Sequence, residues 1–104
     1  MKVQTSDVAL QRIHETASYI QREFGKQYRV VFMQEVREVK RLLRRNPHLG
    51  PVEPLLADRA TTYRSVVVTK VKKIVYRITD DHIEIVDFWD VRREPNLQAQ
   101  HTQL

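Results

Sequence analysis

Seven cations fall between residues 64 and 93 of this chain: Arg64, Lys70, Lys72, Lys73, Arg77, Arg92 and Arg93. Arginine offers a planar fork that grips a phosphate or carboxylate through two hydrogen bonds, and lysine offers a mobile point charge. Gathered in one strand-like segment, these groups read as a surface for a polyanion or an acidic protein. The plainer alternative is a solvated sheet face or edge that lysine protects against aggregation. The density of charge favours the binding surface.

Metal-free cleavage of RNA would need more than cations. A base must take the 2′-hydroxyl proton, cations must hold the charge that develops at the phosphate, and an acid must protonate the leaving oxygen. His82 is a candidate for proton transfer, although its setting, "DDHIEI", reads first as an exposed turn. His14, His48 and His101 are equally isolated. No histidine pair has zinc spacing and the chain lacks cysteine, so no metal and no disulfide is expected. Gly25 and Gly50 are the only glycines, which argues against a phosphate-cradling loop, and no serine stands in a nucleophile elbow. No cofactor is implied, and ATP hydrolysis and serine hydrolase chemistry are set aside.

Strands must deliver these cations. "YRSVVVTK", "KKIVYRI" and "IEIVDFW" are rich in β-branched and aromatic residues and are separated by short turns near Val71 and at Asp80 to His82, predicting three consecutive antiparallel strands. By the period of two, Arg64, Val66, Val68 and Lys70 share one face, and Lys73, Val75 and Arg77 oppose Lys72, Ile74, Tyr76 and Ile78. The last strand, "DFWDVRREP", begins aromatic and ends basic. Phe88 and Trp89 lie on opposite faces and are both expected in the core, holding the backbone at Arg92 and Arg93, with Asp90 and Glu94 placed to pair with the arginines and Pro95 ending the strand.

The first half is helical. After a short alternating start, Lys2 to Thr5, Ser6 caps a helix whose apolar positions are Val8, Ile13, Ala17, Ile20 and Phe24, and Gly25 stops it. A second helix, about Lys26 to Arg45, carries Val30, Met33, Val36, Val39, Leu42 and Leu43 on one stripe. The two should fold back as an antiparallel hairpin and cover the sheet. "NPHLGPVEP" is the loop between halves, and the polar tail from Asn96 has no strong apolar stripe.

The 104 residues therefore suggest one domain over residues 1 to 95 and a tail over 96 to 104. The chain is 41% hydrophobic and 30% charged, with a net charge of +5 and a pI near 9.8, which favours anionic partners. No apolar run approaches the ~20 residues of a membrane-spanning helix. The start, "MKVQTSDV", lacks the apolar stretch of a secretory signal, so no membrane partner and a cytoplasmic location are expected.

Taken in order, "VQTSDVALQRIHETASYI", "LLRRNPHLGPVEP" and "KKIVYRITDDHIEIVDFWDVRREP" resemble the RelE/ParE superfamily of type II toxin–antitoxin toxins, also called plasmid stabilisation proteins. The resemblance covers nearly the whole chain. It implies an α+β fold in the order β-α-α-β-β-β, a helical hairpin on a small twisted, mostly antiparallel four-stranded sheet, and a cognate antitoxin that wraps the toxin. It also implies one of two activities: ribosome-dependent messenger RNA endonuclease, or inhibitor of DNA gyrase. Matched strand by strand to the nuclease branch, Arg64, Lys73 and Arg93 take the catalytic basic places, with Lys70, Lys72, Arg77 and Arg92 as RNA or partner contacts. The sequence departs from that pattern at Val66, where a second basic residue is expected, and in a tail without tyrosine. The ribosome and messenger RNA, or gyrase, are the targets implied. A degenerate member that only binds antitoxin or nucleic acid is a further alternative.

Overall fold

The computed structural model describes residues 1–92; Arg93, Glu94, Pro95 and the tail from Asn96, with His101, lie outside the described residues. Strand β1 (Lys2–Thr5) leads into helix α1 (Asp7–Phe24) and helix α2 (Lys26–Arg45). A single 3-10 turn, Pro54–Leu56, interrupts the connection to β2 (Arg64–Thr69), β3 (Lys72–Ile78) and β4 (His82–Asp90). The four strands lie in the order β1-β4-β3-β2, with β1 parallel to β4 and the other pairs antiparallel. This is the α+β arrangement that the sequence predicts.

Local chemistry sets the helix ends. The Ser6 hydroxyl accepts from the Ala9 N–H at 3.1 Å and donates to the Val86 carbonyl at 3.1 Å, so one side chain caps α1 and ties its start to β4. Gly25 adopts φ 110°, a left-handed value that only glycine takes without strain, and this single residue reverses the chain between the helices.

The buried stripes are narrower than periodicity suggests. Ala9, Ile13 and Ala17 of α1 and Phe32, Val36, Val39 and Leu43 of α2 face the sheet. Val8, Phe24, Val30 and Leu42, expected on those stripes, are exposed instead. Each helix has only one layer to cover, so residues a quarter turn off its buried line reach solvent. Phe32 was missed because the hydrophobic run Val30, Val31, Phe32, Met33 gives no phase of its own.

The sheet is covered on both faces. Ile74, Tyr76, Ile83, Ile85 and Phe88 pack under the helices, and Phe88 meets Phe32 edge-on at 6.0 Å between ring centroids. On the reverse face, Leu56 and Tyr63 from the long connection close over Val75, Val86 and Trp89. The register slips where Val75 pairs with Asp87 but Tyr76 pairs with Ile85, leaving Val86 as an extra residue. A strict alternation from Ile83 would turn Asp87 toward the helices; the bulge puts Phe88 there instead. Both aromatic residues are core, as expected, in two separate clusters.

Candidate functional site

The register decides which cations can act together. Arg64 pairs with Tyr76, and Val66 with Ile74, so these four share the helix-facing side; Val67 pairs with Lys73 on the reverse side. Arg64 and Lys73 therefore face opposite sides of the sheet. The structure does not bring these two candidate catalytic residues together, and the third, Arg93, lies outside the described residues.

Arg64 works within the fold. Its Nη1 donates to the Gly50 carbonyl at 3.0 Å. Beside it, the Tyr76 hydroxyl accepts from the Gly50 N–H at 2.9 Å and donates to the Pro47 carbonyl at 2.7 Å, pinning the loop after α2. Burial pushes the Tyr76 phenol above its ordinary range.

Lys73 is also committed. Its ammonium forms an ion pair with Glu53, whose side chain is fully buried, and lies 5.2 Å from the centre of the Trp89 ring. The other oxygen of Glu53 accepts from the Leu55 N–H at 3.2 Å, capping the 3-10 turn. A cation neutralised inside the fold this way is poorly placed to hold charge on a transferring phosphate.

The cations that do meet stand where β4 ends. Lys72 Nζ lies 3.1 Å from Asp90 Oδ2, and Arg92 reaches the same carboxylate with Nη2 at 2.9 Å and Nε at 3.1 Å. The Arg92 hydrogen bonds, reinforced by its own backbone N–H and by Lys72, hold the Asp90 carboxyl well below the usual range. The expected Asp90–Arg92 pair is present. The Val91 N–H donates to the Val71 carbonyl at 2.7 Å, so the strand end is tied to the β2–β3 turn in which the exposed Lys70 lies. Arg92 remains 67% exposed at its side chain. Arg77 faces the reverse side and sits 3.5 Å from Glu84 across the β3–β4 hairpin.

His82 is not the exposed turn residue expected. It opens β4 in register with Lys2, its side chain is mostly covered, and its Nδ1 lies 2.7 Å from Asp81 Oδ1 and 2.8 Å from Thr79 Oγ1. The turn is short enough that strand pairing already includes it. Sequence reasoning also missed the buried carboxylates Glu53 and Asp87, the latter bonded to Arg12 at 2.6 Å, because their partners are far away along the chain.

A second feature stands at the hairpin tip, where Tyr19, Phe24 and Tyr28 are 50%, 59% and 56% exposed. Tyr19 and Phe24 meet edge-on at 6.3 Å, and Phe24 and Tyr28 at 6.4 Å. Sequence reasoning missed this patch and placed Phe24 on the buried stripe; aromatic residues on either side of a lone glycine between two helices are the signal that could have found it.

Comparison with known proteins follows the same lines. The family model described as ParE toxin of type II toxin-antitoxin system, parDE, matches residues 3–95. Among solved structures, a chain of the chromosomal ParDE system from P. aeruginosa superposes with a TM-score of 0.71 at 14% identity, covering 88% of this chain and 96% of that one. A YoeB/ParE toxin from Agrobacterium tumefaciens gives 0.58 at 22% identity, covering 86% and 98%. The YoeB dimer from Staphylococcus aureus gives 0.57 at 22% identity, covering 84% and 92%. These structural likenesses concern the fold. No curated protein matches the sequence. Among the described residues, no helix is long and apolar enough to cross a membrane.

Proposed function

The chain belongs to the ParE toxin family of type II toxin–antitoxin systems, and on that premise we propose that it arrests growth by binding DNA gyrase and not by cutting messenger RNA. A toxin of this family implies a cognate antitoxin as partner. The observation that carries the gyrase reading is the opposed placement of Arg64 and Lys73, with the charge of Lys73 already taken by Glu53. Stabilising a phosphorane requires donors preorganised around one point, and removing one such donor costs about 3 kcal/mol in established cases. Cations on opposite faces of a sheet do not supply that.

A binding inhibitor needs an exposed, complementary surface and no proton relay. Lys70 of the β2–β3 turn and Arg92 just after β4, with Arg93 next to it in sequence, are the contact residues in this reading, with the cytoplasm as the place of action. Arg92 supports it, because Asp90 holds its Nε and Nη2 in place while the side chain stays 67% exposed.

The test is to induce the full chain, map messenger RNA ends on ribosomes and, in parallel, assay supercoiling by purified gyrase with the purified protein. Loss of supercoiling with intact transcripts is expected, and an Arg92→Ala, Arg93→Ala variant should relieve it. Codon-phased cuts in ribosome-bound transcripts, with supercoiling unaffected, would overturn the reading and restore the endonuclease.

A further inference from the structure

Helix α2 carries Lys26, Arg29, Arg37, Lys40, Arg41 and Arg44, with Arg45 at its last position, against only two carboxylates, Glu35 and Glu38. Its excess of positive charge equals the +5 of the whole chain, so the remaining residues balance and the surplus sits on one element. The first six cations recur close to the helical period and form one stripe. It lies about a third of a turn round from the buried line of Phe32, Val36, Val39 and Leu43 and runs for about 27 Å. Lys26, Arg37, Arg41 and Arg44 are exposed, and Arg29 and Lys40 are half-buried along its inner border.

Helix stability does not account for this stripe. Lys26 and Arg29 open the helix, where its dipole disfavours cations and the first turn holds no acidic residue. Arg37 with Arg41, and Lys40 with Arg44, set like charges four residues apart, a spacing that weakens a helix. Burial, and after it the Arg44 guanidinium, hold the Lys40 ammonium below its ordinary range. Among the described residues, the stripe's one ion pair joins Arg41 to Glu38 at 2.5 Å, while Arg29 bonds the neutral Gln21 side chain at 2.9 Å.

We propose that this face of α2 binds the phosphate backbone of duplex DNA without reading its sequence. Duplex DNA presents one negative charge for about every 1.7 Å of its axis, a density that few protein surfaces sustain over the length of the stripe. A convex helix face enters or flanks the B-form major groove, about 12 Å wide, whereas the A-form groove of RNA is too narrow and deep for it. Single strands are held by stacking on aromatic rings, and the uncharged members of this stripe are Val30 and Met33. The inference is built on α2 and not on the end of β4, so it holds whichever target the toxin inhibits.

The test is anisotropy of fluorescein-labelled duplexes of roughly 20 base pairs, longer than the stripe, titrated with the full chain. Duplexes of unrelated sequence should bind alike, with the logarithm of affinity falling against the logarithm of salt at a slope of about −4, as for about four phosphate contacts. Arg37→Gln and Arg44→Gln, with folding verified by circular dichroism, should each weaken binding several-fold and make the slope shallower by about 1. Arg22→Gln removes the same charge from an exposed position on α1 and should leave the slope unchanged.

Failure to bind, indifference to Arg37 and Arg44, or an equal loss with Arg22→Gln overturns the inference, the last by reducing it to net charge. Tighter binding of the single strand or of an RNA duplex of the same sequence reassigns the stripe and overturns it as well. So does competition by polyglutamate at a lower charge concentration than by unlabelled duplex, which assigns it to an acidic protein. Supercoiling and growth arrest are measured separately and report on the gyrase reading, so either result can fail without the other.

Discussion

Lys73 and Glu53 form an ion pair on the reverse face of the sheet, with the carboxylate fully buried and the ammonium 5.2 Å from the centre of the Trp89 ring. The pair joins β3 to the loop that closes the second core. Removing one partner strands the other charge in a poorly hydrated site, which typically costs about 3–5 kcal/mol. Because the lysine keeps some access to water, the lower end applies to Glu53→Gln.

The double variant Glu53→Leu, Lys73→Met should regain most of that loss, since a matched apolar pair avoids desolvating two ions. Chemical denaturation of Glu53→Leu, Lys73→Met and the double variant closes the cycle. The folded double variant should still arrest growth. Loss of arrest with stability intact would return Lys73 to a direct role.

Tyr76 secures the loop after α2 through both its donor and its acceptor functions. Tyr76→Phe leaves the Gly50 N–H and the Pro47 carbonyl without this partner, at an expected cost of about 1–3 kcal/mol. Gly50→Ala should be worse, because a Cβ there would stand 2.2 Å from the Ser65 carbonyl oxygen. A shift of the thermal midpoint measures both, and a Gly50→Ala protein as stable as the parent would contradict the close approach.

Asp90 should show the clearest pH dependence. Its folded pKa is depressed by Arg92 and Lys72, so its contribution to stability is fully present above the ordinary aspartate range, near 3.9. That contribution is lost as pH falls through the lowered folded value. NMR titration of the Asp90 carboxyl should give a midpoint below the ordinary range, and Lys72→Met or Arg92→Ala should move it upward. A midpoint at the ordinary value would mean that the cations do not hold it.

Arg12 reaches Asp87 across 75 residues of sequence, at 2.6 Å. Asp87 also accepts from the Phe88 N–H at 2.8 Å, which fixes it at the bulge. Arg12→Ala should destabilise by roughly 2–3 kcal/mol, in the range for hydrogen bonds to a buried charge, with little change in exposed surface properties. Hydrogen exchange at Phe88 should quicken in that variant before exchange elsewhere in β4.

Much of the fold was legible because its signals are local. Ser6 before a periodic run, Gly25 between two helices, and β-branched runs broken by short polar turns each reflect chemistry acting within a few residues. Phe88 and Trp89 were legible as opposite-facing core residues because adjacent strand positions point to opposite faces. The helical stripes were less so: Val8, Phe24, Val30 and Leu42 have the right chemistry, but only the sheet's width decides how much of a helix it covers.

The sequence by itself determined the element order, the family resemblance, the excess of positive charge and the arginines that follow a buried strand, all properties carried by residue type and near spacing. Only the tertiary structure decided what each cation does. Arg64 serves a loop, Lys73 is neutralised by Glu53, and Lys72 and Arg92 converge on Asp90 at the end of β4. Those outcomes depend on strand register and on partners 14 to 20 residues away, or on the reversal that returns β4 beside the β2–β3 turn. Coulomb attraction acts through space, and the order of residues along the chain fixes that space only after the sheet has formed.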